Sequence, residues 1–169
     1  EIIRRVEDSK CDVVGISYMT AQANNAYEIS KRIRKIHKNI IIIHGGVHPT
    51  CVYEEAVKYA DYVVIGEGEE TFLEILKNLD DKERVKKIRG IAFLEDGKIV
   101  RTADREFIKN LDDIPFPAFD LLPMEKYFLM HPVSHRSLLF YQLFQALLQS
   151  FSYEYQQQKP LFVHIGRKE

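Results

Sequence analysis

Residues 40–50 read IIIIHGGVHPT, a run of four isoleucines that ends in His44 and two glycines. Consecutive β-branched residues predict a strand that is buried on both faces, as in the middle of a parallel sheet. The glycine pair ends the strand and lets the chain turn and a ligand approach the backbone. This stretch therefore predicts a buried strand with a turn at its carboxyl end.

Two similar strands flank this one in the sequence. Residues 12–17 (DVVGIS) and 61–65 (DYVVI) are short apolar runs with polar neighbours. Residues 25–37 place apolar side chains at spacings of three and four, which predicts an amphipathic helix between the first two strands. Further helices are expected over residues 1–10, over 51–59 with Thr50 as the cap, and from Glu69 onward. Alternating strands and helices predict an α/β fold, a parallel sheet with helices on both faces.

The pattern changes after residue 80. Residues 88–102 surround Asp96-Gly97, a strong signal for a β-hairpin, and residues 111–127 contain three prolines typical of an extended connector. Residues 134–169 hold six of the seven glutamines and differ in composition from the rest. We therefore expect an α/β domain at 1–80, a hairpin and connector at 81–133, and an atypical tail at 134–169. A shifted reading frame near residue 134 is one explanation of that tail.

Composition excludes several classes of protein. Hydrophobic residues make up 46% and charged residues 29%, and the formal net charge is −1, so neither disorder nor nucleic-acid binding is indicated. The apolar runs are too short to span a bilayer, and the charged first residues do not resemble a signal peptide, so the expected location is the cytoplasm. Cys11 and Cys51 cannot form a disulfide framework and are expected to be small buried side chains.

Three loops follow the three predicted strands and carry glycines or hydroxyls. In an open parallel sheet such loops share the carboxyl edge, where ligands bind, and free N–H groups at helix starts attract phosphate. The three loops together suggest a broad ligand that carries a phosphate. Taken singly, a glycine pair after a strand is better explained as a tight turn.

The five stretches DVVGISYMT, IIIIHGGVHPT, DYVVIGEGEETFLEIL, IRGIAFLEDGKIVRT and LDDIPFPAFDLLPMEKY occur in this order over residues 1–133. Together they resemble the cobalamin-binding domain that precedes the catalytic barrel in radical S-adenosylmethionine (SAM) enzymes. The resemblance implies a flavodoxin-like (Rossmann-type) fold that binds cobalamin over the strand ends. It also implies a parent enzyme with a [4Fe–4S] cluster and SAM, which catalyses methylations or ring rearrangements.

The resemblance further implies the residues of the cobalamin site. Ser17, Met19 and Thr20 would lie beside the nucleotide tail or the corrin edge. The residues expected around the corrin are Gly45, Gly46, His48, Thr50, Gly66, Glu67, Gly68 and Glu69. No catalytic residue and no metal ligand is assigned; His44 or His48 could ligate cobalt, but both are better explained as structural. A Gly46→Val substitution is expected to block cobalamin while sparing the fold.

The sequence departs from the family pattern in two ways. The strand, helix and strand that normally come first are missing, so the chain looks truncated and the sheet incomplete at its amino-terminal side. No cysteine follows Cys51, so the C-x3-C-x2-C motif that holds the cluster is absent and the chain is not expected to be catalytic by itself.

With the sheet incomplete, the strand at 12–17 would be an open edge that favours self-association, unless a tail helix over residues 138–151 covers it. Two alternatives stay open: a non-functional gene fragment, and an interaction module that binds another nucleotide or no cofactor.

Overall fold

The computed structural model describes residues 2–115 and 162–166 of the 169-residue chain. The chain divides into two compact units, residues 1–109 with 160–169, and residues 110–159. In the second unit a turn of 3-10 helix is described at Leu111–Asp113, where the Asn110 side chain donates to Asp113 Oδ1 at 2.9 Å. The predicted tail helix at 138–151 and most of the proline-containing connector lie outside the described residues.

In the described part of the first unit, strands β1 to β6 form a sheet with helices on both faces. The strands are β1 (Val13–Ser17), β2 (Ile41–Gly45), β3 (Tyr62–Val64), β4 (Ile91–Glu95), β5 (Lys98–Arg101) and β6 (Phe162–Gly166). Their order in the sheet is β5-β4-β3-β2-β1-β6. The helices are α1 (Ile2–Ser9), α2 (Ala23–Ile36), α3 (Val47–Cys51), α4 (Tyr53–Ala56), α5 (Glu69–Lys77) and α6 (Lys82–Val85), with a 3-10 turn at Thr20–Gln22 before α2.

The centre of the sheet is the predicted parallel arrangement. β1 pairs with β2, with Val14 opposite Ile42, and β2 pairs with β3, with His44 opposite Val63. Both pairs are parallel, and each strand lies within two residues of its predicted bounds. The α/β, flavodoxin-like fold class is confirmed.

The hairpin is also confirmed, and it extends the main sheet. Asp96 and Gly97 have φ of +48° and +75°, as a two-residue turn with two left-handed positions requires. β4 pairs antiparallel with β3, and β5 antiparallel with β4. Because β4 runs opposite to β3 and β5 runs opposite to β4, β5 again points toward the edge at which β1, β2 and β3 end.

The strand β6 corrects the expectation of an open edge on β1. β6 pairs antiparallel with β1 along its whole length, with Gly15 opposite His164. The backbone N–H and C=O groups on this side of β1 are therefore paired with β6. Local sequence could not show this, because the two strands are about 150 residues apart.

The helix after β2 begins earlier than predicted. Gly46, with φ of +94°, turns the chain so that α3 starts at Val47, and Pro49 falls in the first turn, where its missing N–H costs no hydrogen bond. Thr50 is therefore inside α3 and is not the cap that the sequence predicted. Cys51 at the end of α3 is exposed, contrary to expectation, whereas Cys11 is buried.

The core lies on both faces of the sheet. On one face α1 and α2 pack on β1 and β2, with Val14, Ile16 and Ile42 buried against Ile33 of α2. On the other face α5 packs on β2, β3 and β4. The loops after β1, β2 and β3 begin at the carboxyl edge of these strands, and α3 starts there directly after Gly46.

Candidate functional site

The loops after β1, β2 and β3 converge on the carboxyl edge of the sheet, as predicted. Ser17, the last residue of β1, lies opposite Gly45, the last of β2. Tyr18 N–H donates to the Gly45 carbonyl at 3.1 Å, and His48 N–H donates to the Tyr18 carbonyl at 3.3 Å. The first two loops are thus joined through their backbones.

Gly46 is the point of closest approach between these two loops. A Cβ placed on Gly46 would lie 2.8 Å from Ser17 Oγ and 3.0 Å from both the N and O atoms of Tyr18. Its φ of +94° also disfavours any other residue. The prediction that Gly46→Val would spare the fold is therefore wrong, because the new side chain would meet backbone atoms of the first loop.

His48 holds the first loop in place through its side chain. It is buried, its Nδ1 is 3.1 Å from Thr20 Oγ1, and its Nε2 is 3.1 Å from Tyr27 Oη. Both ring nitrogens therefore have a hydroxyl partner, and ligating a metal would break one of these bonds. The contact with Tyr27 of α2 was not visible in the sequence, because the two residues are 21 positions apart.

His44 belongs to the core and lies beneath the site. It is fully buried, its Nδ1 is 3.0 Å from Tyr18 Oη, and its Nε2 is 2.8 Å from Ser30 Oγ. Ser30 donates its proton to the Ala26 carbonyl, so Ser30 Oγ accepts from His44 Nε2–H and Tyr18 donates to Nδ1. Burial lowers the pKa of His44 to about 4, and burial also raises the pKa of Tyr18 above its ordinary value. A neutral His44 and a neutral Tyr18 are the forms that these hydrogen bonds require.

The second and third loops are joined by Thr50 and Gly66. The Gly66 N–H donates to Thr50 Oγ1 at 3.1 Å. Gly66 has φ of +78°, and no atom lies within 4 Å of the position a Cβ would take. Gly66 therefore faces open space at the edge of the sheet, as a backbone contact to a ligand requires.

The remaining predicted site residues differ in their surroundings. Glu67 Oε2 accepts a hydrogen bond of 2.7 Å from the Ile108 N–H, so this carboxylate has a partner in the chain. Glu69 is exposed in the first turn of α5, and Gly68 lies just before it. Met19 is half-buried, and its N–H donates to Gln22 Oε1 at 3.1 Å.

Val47 is a residue of this edge that the sequence prediction missed. It lies between Gly46 and His48 and is 61% exposed, which is high for a β-branched apolar residue beside a buried strand. The edge thus combines hydroxyls at Ser17 and Thr20, glycine backbone at Gly66, and an apolar side chain at Val47. Such a surface suits a broad ring with an apolar body and polar edges.

Within residues 2–115, no cluster of three or more His, Cys, Asp or Glu side chains is placed to hold a metal ion. No helix among the described residues is long and apolar enough to cross a membrane.

The chain is similar to a known family and to several known proteins. Residues 1–76 match the family described as B12 binding domain. An uncharacterized methyltransferase of Pyrococcus horikoshii is 36% identical over 130 residues, which cover 75% of this chain and 28% of that protein. The anaerobic magnesium-protoporphyrin IX monomethyl ester cyclase of Rubrivivax gelatinosus is 29% identical over 134 residues, covering 75% of this chain and 24% of the cyclase. The chain thus spans about a quarter of the length of these relatives.

The fold has a counterpart among solved structures. The structure of the cobalamin-dependent S-adenosylmethionine radical enzyme OxsB with aqua-cobalamin and S-adenosylmethionine bound superposes with a TM-score of 0.62 and 25% sequence identity. The match covers 70% of this chain and 17% of OxsB. By sequence motif, family match and fold, residues 1–76 are similar to the B12-binding domain family and to the cobalamin-dependent radical SAM enzyme OxsB.

Proposed function

We propose that this chain is the cobalamin-binding module of a radical SAM enzyme of the methyl-transfer or ring-rearrangement type, and that it is not catalytic by itself. The observation that carries the proposal is the convergence of the three loops, with open space at Gly66, on the carboxyl edge of a B12-binding fold. A cytoplasmic location is part of the proposal, since Cys11 and Cys51 are both free thiols.

The residues at the edge fit the chemistry of cobalamin. Gly66 leaves room where any side chain would project, and Val47 offers apolar surface. Ser17 and Thr20 are exposed hydroxyls that can bond to polar groups at the rim of the corrin or on its nucleotide tail. A backbone platform with a few polar groups is the usual form of a cofactor site.

We assign different roles to the predicted residues. Ser17, Met19 and Thr20 contact the nucleotide tail or the corrin edge, whereas Gly45, Gly66, Gly68 and Glu69 line the corrin. We assign His48, Thr50 and Gly46 to holding the loops in position. Their side chains or Cβ positions face other residues of this chain. When bound, cobalamin supplies cobalt chemistry such as the carriage of methyl groups.

The radical chemistry itself needs groups that these 169 residues do not provide. A [4Fe–4S] cluster of the radical SAM type needs three cysteine thiolates, and the sequence contains two cysteines, 40 positions apart, at 11 and 51. We therefore propose that this chain binds and orients cobalamin, and that cluster and SAM belong to another part of the enzyme.

Two asparagine substitutions test the site. Gly66→Asn adds a side chain to the open space, and asparagine tolerates positive φ better than other residues. Gly97→Asn is the matched control, since Gly97 has φ of +75° with no atom within 4 Å, but lies in the hairpin turn at the opposite edge. Equilibrium dialysis with hydroxocobalamin should give an affinity at least about tenfold lower for Gly66→Asn and unchanged for Gly97→Asn. Equal affinities in the two variants would remove the third loop from the site.

A further inference from the structure

The chain that leaves β5 runs along the carboxyl edge of the sheet. Thr102 N–H donates to the Ile91 carbonyl at 2.9 Å, and Gly90 N–H donates to the Ala103 carbonyl at 2.8 Å. These bonds lead the chain past the start of β4, which lies beside the end of β3. Residues 104–108, here called the strap, follow directly and reach the loop after β3.

Two side-chain contacts hold the strap on this loop and on α5. Arg105 forms ion pairs with Glu70, at 3.2 Å, and with Glu74, one turn further along α5. The Ile108 N–H donates to Glu67 Oε2 at 2.7 Å. Arg105 also packs closely at Gly90, where a Cβ would lie 3.3 Å from the Arg105 Cβ. Glu67, Glu70 and Glu74 thus serve as anchor points for the strap.

Phe107 lies between these two anchors and is 77% exposed, the highest value among the exposed large apolar residues of the described chain. The N–H of its neighbour Ile108 is bonded to Glu67, so the backbone of Phe107 lies beside the loop that carries Gly66 and Gly68. Exposing an aromatic ring to water is unfavourable, and the ring can be buried by a flat apolar partner at that edge.

We propose that Phe107 is a further contact residue for cobalamin and that Arg105 is a positioning residue that holds it there. This inference rests on the proposed cobalamin-binding function. The occupant is the corrin, because the proposed corrin site begins at Gly66, adjacent to the residue to which the strap is bonded. The strap would then form a wall of the site beside the loop after β3.

The test compares exposed apolar residues at opposite edges of the sheet. Phe107→Ser should lower the affinity of the full chain for hydroxocobalamin about tenfold, as expected for the loss of one buried aromatic contact. Leu94→Ser is the control: Leu94 is 45% exposed, but because β4 is antiparallel to β3 it lies toward the other edge. Its affinity should match that of the wild type.

A second measurement reports proximity independently of affinity. The chain contains no tryptophan, so Phe107→Trp introduces a single fluorophore while keeping an aromatic ring. At saturating hydroxocobalamin its emission should be quenched more strongly than that of Leu94→Trp. Wild-type affinity in Phe107→Ser, or equal quenching at the two positions, would overturn the inference. Failure of the wild type to bind cobalamin would instead overturn the proposed function.

Arg105 is tested by a conservative pair. Arg105→Ala removes the ion pairs with Glu70 and Glu74. It should weaken cobalamin binding severalfold through the position of the strap, because the Arg105 side chain is paired with α5. Arg105→Lys keeps the charge and should restore most of the affinity. Because a purely structural role would lower stability without changing affinity, the two variants are compared at a temperature where both are folded. Equal affinity of Arg105→Ala and wild type would remove the positioning role.

Discussion

His44 is a titratable residue buried in the core beneath the site. It is fully buried, and its neutral form is bonded to Tyr18 and Ser30. Burial lowers its pKa from 6.5 to about 4 in the folded chain. Between these pH values the unfolded chain binds the proton first, so protonation favours unfolding.

We therefore expect the stability to fall as the pH is lowered from 6.5 to 4. His44 alone should remove roughly 3 kcal/mol by pH 4, at about 1.4 kcal/mol per pKa unit, and nothing above pH 7. Urea unfolding at several pH values measures this. His44→Gln should be less stable at pH 7 but should lose less stability over the same range. An unchanged pH slope in the variant would show that His44 is not the group that titrates.

Two glycines of the loops should respond differently to alanine. Gly46→Ala should cost more than about 2 kcal/mol, because the Cβ is strained at φ of +94° and meets Tyr18 backbone atoms at 3.0 Å. Gly68→Ala should cost less than about 1 kcal/mol, because Gly68 has φ of −94° and an ordinary 3.6 Å contact to Val64 Cγ1. Thermal unfolding of both variants checks this, and similar losses would mean that Gly46 is not the closer contact.

For individual residues, the sequence indicated which ones lie near the carboxyl edge but not which atoms each one contacts. His44 and the glycine pair were placed at a strand end by local pattern alone. The partners of Gly46 and His48 come from the loop after β1 and from α2, more than 20 positions away. Such contacts depend on the packing of the loops, which periodicity does not contain.

The strand β6 determines whether the backbone groups along the outer side of β1 are paired. Deleting residues 160–169 should leave the N–H and C=O groups of β1 unpaired on that side. We expect the melting temperature to fall by more than about 3 °C and the shortened chain to associate with increasing concentration. Deleting residues 167–169, which lie beyond β6, is the control.

Calorimetry and analytical ultracentrifugation measure the two effects. If the chain without residues 160–169 melts at the same temperature and stays monomeric, the pairing of β1 with β6 contributes nothing to stability.

The elements that could be predicted are those that a local sequence pattern specifies. β1, β2 and β3 are apolar runs between polar residues, and the hairpin turn is specified by Asp96 and Gly97. β6 was missed, because its pairing with β1 spans nearly the whole chain. The start of α3 was missed because it depends on the left-handed conformation of Gly46, and Thr50 looked like a cap although its hydroxyl bonds to Gly66.

Considered as a whole, the first unit is a sheet with a parallel centre and antiparallel additions on both sides. The hairpin on one side carries the chain back to the carboxyl edge, where the strap bonds to Glu67. The sequence predicted a hairpin but not that it would join this sheet, because the pairing of β4 with β3 rests on short apolar stretches that could fit several partners. The ligand edge is therefore shared by the three loops and by the strap.

The whole chain should not cleave SAM reductively. It contains two cysteines, one fewer than the cluster motif needs. Anaerobic reconstitution with iron and sulfide, followed by SAM and a reductant, should release no 5′-deoxyadenosine. A stable cluster that produces 5′-deoxyadenosine would contradict the proposed division of roles.

The central claim is that these residues form a cobalamin site, and equilibrium dialysis of the full wild-type chain against hydroxocobalamin tests it most directly. We predict saturable binding of one cobalamin per chain, with a Kd below about 10 µM, which corresponds to about −7 kcal/mol. Binding that does not saturate would contradict it.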